Sequence, residues 1–227
     1  MPAKRGIDIL QSVAEFASVG PVSGLRERMR AQALALVRTE ELADVGYSYR
    51  ILAIDTPVGE TLTLAGEALH APWLVPASGE LTALACAVCS IGARLEARVS
   101  SLFKEKRASL ALALDALGNE MLFAVSRRVQ DRVLADVRRQ DLSMCGELRP
   151  GDPGLSLDAH AAVLRLAQAE TINVGLRGNH TLLPLKSMSI VMGVGIELPA
   201  ATWSRCDHCP SRARCKLVAR TAAVRAL

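Results

Sequence analysis

Three cysteines near the C-terminus are the side chains best arranged for chemistry, in the run Cys206-Asp207-His208-Cys209-Pro210-Ser211-Arg212-Ala213-Arg214-Cys215. Cys206 and Cys209 are spaced so that both sulfurs can turn toward one metal, and Cys215 can close the loop. Such a polar segment gives no reason to expect core packing, and exposed thiols are a liability unless ligated. Three thiolates need a fourth ligand to complete tetrahedral zinc or a four-iron cluster. Cys145 is the candidate from the folded domain, and His208 is the local one. Arg205, Arg212, Arg214 and Lys216 would offset the thiolate charge. The Cys86-x-x-Cys89 pair is different: it lies within an apolar run, and on a strand residues three apart point to opposite faces. It reads as two small buried hydrophobes.

A second chemical feature precedes the cysteine tail. Arg149-Pro150-Gly151-Asp152-Pro153-Gly154 combines fixed φ at proline with free φ at glycine, which suits an irregular binding loop. A helix of about ten residues should follow, capped by Ser156 or Asp158, with Leu157, Ala161, Leu164 and Ala167 inward. Next come an extended piece, Val174 to Leu176, and the polar link Arg177-Gly178-Asn179-His180. Residues 186–192 then alternate as a strand, opening with Lys186 and Ser187. Asn179, His180, Lys186 and Ser187 join Arg149 and Asp152 as candidate ligand contacts. Each also has a plain reading, as turn or strand polarity.

The elements that would position these residues follow from periodicity. Residues 25–45 carry an apolar stripe of Leu25, Met29, Ala33, Leu36 and Val37, which predicts a helix. Residues 47–55 and 60–65 read as strands joined through Thr56-Pro57-Val58-Gly59, a hairpin, with a loop over 67–80 that holds His70 and Trp73. Residues 81–90 are apolar throughout and predict a central strand buried on both faces. Two helices follow over 92–104 and 107–140. The second repeats Leu110, Leu114, Leu117, Met121, Val125, Val129, Val133 and Val137. Its outer face carries Arg127, Arg128, Arg132, Arg138 and Arg139, either a solvated face or a docking surface for an acidic partner. The sum is an α+β domain, a mostly antiparallel sheet with long helices on one side. It occupies 25–199, between an N-terminal extension, 1–24, and the cysteine-rich tail, 200–227.

Composition narrows the classes. The 227 residues are 50% apolar but only 3% aromatic, and 27 basic against 23 acidic side chains leave a net charge of +4. Nucleic-acid binding would want clustered basic residues with stacking aromatics, and with the aromatics missing it is not expected. No apolar run nears the ~20 residues of a membrane span, and the N-terminus lacks a signal-peptide core, so a cytosolic chain with reduced cysteines is expected.

The order of loop, helix and strand, with these residues, resembles the reactivation domain of cobalamin-dependent methionine synthase, including its free-standing relatives. Pro150-Gly151, Val174, Leu176, Pro184, Lys186, Ser187 and Ser189 fall in register on the family pattern. Ser90-Ile91-Gly92 and Leu114-Asp115-Ala116 match two further pieces upstream. The resemblance implies a curved sheet with helices that covers a corrinoid, holds S-adenosylmethionine over the cobalt, and assists its reduction and remethylation. It therefore implies a corrinoid-binding protein or methyltransferase as partner, with partner-borne cobalamin. Because remaking an active corrinoid needs an electron, an iron–sulfur cluster at Cys206, Cys209 and Cys215 is preferred over zinc.

Several positions depart from the pattern. Glu147 stands where the family has an arginine, Asp152 replaces its tyrosine, Phe123 its helical glutamate, and Gly178 the glutamate of Thr-Glu-Ser. Either Arg149 and Asp152 serve in a shifted loop, or the scaffold is kept and the S-adenosylmethionine site is lost. The implied function is an accessory protein that caps a partner's cobalamin and supports its reactivation. The alternative is a zinc- or iron–sulfur-dependent methyltransferase component acting on a small acceptor.

Overall fold

The computed structural model describes residues 24–55, 57–178 and 180–199; the cysteine triplet, His208 and Asn179 lie outside them. Four antiparallel strands form the main sheet: β1 (Gly46–Ala53), β4 (Glu80–Ser90), β8 (Ser187–Ile196) and β5 (Ser143–Leu148), in the order β1-β4-β8-β5. β2 (Thr61–Leu64) pairs with β3 (Glu67–His70), and β6 (Gly175–Arg177) with β7 (Thr181–Leu183), as two small hairpins. The helices are α1 (Gly24–Thr39), α2 (Arg94–Lys104), the 31-residue α3 (Ala108–Arg138) and α4 (His160–Leu166).

β4 shows why this sheet needs two covers. Ala83, Ala85, Ala87 and Cys89 face one core, with α1, α2 and α3; Leu84, Cys86 and Val88 face the other, with α4 and the β2-β3 hairpin. Small side chains on the first face let the long helix approach closely, and all eight apolar positions expected along α3 are buried there. By length and composition α3 is long and apolar enough to cross a membrane, yet half of its most apolar stretch is buried within the fold. Helices on one side is thus only half the architecture. Alternate residues of a strand apolar on both faces require an apolar layer on each.

Three local expectations change. β1 pairs with β4 from Gly46↔Ser90 to Ala53↔Ala83, so the β1-β2 hairpin does not form; only an isolated bridge, Asp55 to Thr63, joins those segments. The eight residues of β1 find a longer apolar partner in β4 than the four of β2 provide. The stretch read as a loop instead supplies β3 and a 3-10 turn, Pro72–Leu74. After the Pro/Gly loop, Ser156 caps a 3-10 turn that runs into α4, and Leu157 is exposed while Val163, Leu164 and Leu166 are buried.

Candidate functional site

At the start of β8, three stretches far apart in sequence meet. The Lys186 ammonium lies 2.7 Å from Asp115 Oδ1 and donates to Asn119 Oδ1 at 2.6 Å, one turn further along α3. Gly118 makes room: a Cβ there would meet Leu95 at 2.9 Å and the Lys186 chain at 3.4 Å. Ser187 donates to Ser90 Oγ at 2.9 Å, and that oxygen accepts the Gly92 N–H at 3.0 Å. The Ile91 N–H donates to Lys186 O at 3.0 Å, and the Leu185 N–H to Glu96 at 2.7 Å in the first turn of α2. Lys186 and Ser187 are therefore bonded to the fold itself, joining β8 to β4 and α3, while Leu185 adds the link to α2.

A cleft of about 690 Å3 opens at this end of the sheet, lined by Asp44, Gly46, Ser90, Gly92, Arg94 and Asn173 among others. Gly92 has φ +79, and a Cβ on it would meet Asp44 at 2.9 Å, so glycine is required where the chain leaves β4. Arg94 donates to the Glu40 carbonyl at 2.7 Å, which ties the cleft wall to the turn after α1.

The Pro/Gly loop is a set of closed turns. Asp152 Oδ2 accepts the Arg149 N–H at 2.9 Å, and the Asp152 N–H returns to Arg149 O at 2.8 Å. The Gly151 N–H donates to Leu155 O at 2.9 Å. Gly154, at φ +86, lies against Trp73 so closely that a Cβ would meet the ring at 2.6 Å. The Arg149 guanidinium stands 5.6 Å from the centre of the Phe123 ring and donates to Glu147 at 3.0 Å. Two of the positions that depart from the family pattern, Phe123 and Glu147, thus bracket Arg149.

His180 sits apart from these residues on the β6-β7 connection, 3.6 Å from Asp158 Oδ1. A histidine not anticipated from sequence lies nearby in the chain's packing. His160 is 8% exposed at the start of α4, with no hydrogen-bond partner for Nδ1 among the described residues, and burial holds its pKa below the ordinary value. Asn119 and Trp73 likewise carry no signal of a site in the sequence. Asn119, four residues after Asp115, follows helical spacing, but its lysine partner comes from another part of the chain.

Cys145 occupies an apolar niche between β5 and β8, where a Cβ on Gly193 would lie 2.9 Å from its sulfur. Burial pushes its pKa up, so without a metal the neutral thiol is favoured. Cys86 and Cys89 face opposite cores, and burial raises both to about 12. Among the described residues, no group of three His, Cys, Asp or Glu side chains is gathered to hold a metal ion.

Neither the protein-family models nor the curated proteins include a match to this chain. Among solved structures it is similar to the MetH reactivation domain bound to AdoHcy, with a TM-score of 0.64 and 11% identity, over 94% of this chain and 85% of that one. At such identity the likeness is one of fold: this is an α+β domain, with antiparallel sheets and helices, built like the MetH reactivation domain.

Proposed function

We propose that the chain is a cytosolic accessory protein of corrinoid-dependent methyl transfer, which caps a partner's cobalamin and supports its reductive reactivation. One observation carries the reading. The fold is that of a reactivation domain, and Ser90-Ile91-Gly92, Asp115 and Lys186-Ser187, three separate pieces of the sequence resemblance, bond to one another within it. The partner is a corrinoid-binding protein or methyltransferase, and the corrinoid is the partner's.

In this proposal Cys206, Cys209 and Cys215 hold an iron–sulfur cluster that passes the electron, with zinc as the alternative metal. The spacing of the three thiols supports this, with Cys145 or His208 as the candidate fourth ligand. In this reading the described residues act as the scaffold that carries the capping surface.

The test mixes the anaerobically purified full chain with corrinoid-loaded methyltransferases of the same organism, under a reductant, and follows the cobalt spectrum. Saturable acceleration of corrinoid reduction is the expected result. An unchanged spectrum and rate at every stoichiometry would overturn the proposal. Iron and zinc quantified on the same sample decide the metal: a colourless protein with stoichiometric zinc removes the cluster.

A further inference from the structure

We infer that the Pro/Gly loop of this chain does not hold S-adenosylmethionine or its demethylated product, so that the methyl donor in the reaction it serves is bound by another polypeptide. The inference rests on the proposed function for its setting and on the loop's own chemistry for its content.

S-adenosylmethionine carries a sulfonium, an ammonium and one carboxylate, a net positive charge. A site for it needs carboxylates for the cations, a cation for the carboxylate, and space for the ring system. The described carboxylates around the loop and the adjoining face of α3 already have cations or backbone donors of their own. Asp115 is 2.7 Å from Lys186, Glu120 is 2.7 Å from Arg30, Glu147 accepts from Arg149, and Asp152 accepts the Arg149 N–H. Arg149, the one cation within the loop, is held by Glu147 and lies over Phe123. A net cationic ligand would meet this guanidinium with Asp115, Glu120, Glu147 and Asp152 all committed elsewhere.

Adaptation of the loop is restricted as well. Its turns are closed by four backbone and side-chain hydrogen bonds among Arg149, Gly151, Asp152 and Leu155, and Trp73 sits on Gly154. Freeing Asp152 to reach a ligand ammonium would remove the acceptor of the Arg149 N–H. The departures at Glu147, Asp152 and Phe123 therefore form one consistent set, a charge-balanced structural corner in place of a ligand site. The loop still offers a shaped surface, and capping a corrinoid requires shape.

The test is calorimetric titration of S-adenosylmethionine and, separately, S-adenosylhomocysteine into the full chain, with the corrinoid-reduction assay run on the same preparation. Both ligands should show no saturable heat up to about 1 mM, and neither should alter the reduction rate. Comparing the two removes the sulfonium charge as the sole obstacle, since the second ligand has a neutral sulfur. Saturable binding of either ligand in the micromolar range overturns the inference. Failure of the proposed function reads out separately, as the absence of any effect on corrinoid reduction, whatever the titrations give.

Discussion

Lys186→Met tests whether the β8 ammonium is committed to the scaffold. The lysine side chain is 11% exposed, 2.7 Å from Asp115 and donating at 2.6 Å to Asn119. Asp115 is 45% exposed, so water reaches the carboxylate and the full penalty of an orphaned buried charge does not apply. An exposed ion pair contributes about 0.2–1 kcal/mol, and a hydrogen bond to a charged group about 1.5–3 kcal/mol before that shielding. Together these put the loss at about 1–2 kcal/mol, or about 2–8 °C in Tm for a domain of this size. Asp115→Asn and the double variant complete a cycle measured by urea unfolding at neutral pH. A coupling energy of about 0.5–1.5 kcal/mol is expected, with m unchanged. Coupling under about 0.3 kcal/mol would refute the reasoning and return Lys186 to the set of side chains available to a ligand.

Gly195→Ala places a Cβ 1.9 Å from the Glu80 carbonyl oxygen, a clash between backbones that no rotamer relieves. It should cost about 3 kcal/mol or more, seen as loss of soluble folded protein or a large shift in the urea midpoint. Cys86, Cys89 and Cys145 should resist iodoacetamide in the native protein at about pH 8 and react fully in denaturant, as read by peptide mass spectrometry. Rapid native labelling of Cys86 or Cys89 would contradict their burial. For His160, burial lowers the folded pKa, so the unfolded chain takes a proton that the folded ring resists. Stability should fall as pH drops below about 6.5 and level off below the depressed folded pKa. His160→Gln should flatten that slope in unfolding curves taken at intervals from about pH 7.5 to 5.

Much of the fold is legible from local pattern, because the signal and its cause lie in the same segment. The three- and four-residue recurrence from Leu110 to Val137 gives α3 its buried face, and the unbroken apolar run over 81–90 gives a strand covered on both sides. The opposite orientation of Cys86 and Cys89 follows from strand geometry alone. Strand partners are another matter. The Pro-Val-Gly connection after β1 is compatible with a hairpin, but the ladder with β4 spans eight residues separated by a long stretch of chain, and only tertiary packing selects it. β5, with Gly146 in the left-handed region and a register shift between Cys145 and Leu148, has no alternation to reveal it and exists because β8 offers an edge.

The candidate site divides the same way. The residue types at 123, 147 and 152 are visible in the sequence as departures from a resembled pattern, and they raise the question of what became of the ligand. That Arg149 stacks on Phe123, that Asp152 closes its own turn, and that Lys186 spans to Asp115 are decided only in three dimensions. A charged side chain takes whichever partner the fold brings within reach, and no spacing along the chain records that choice.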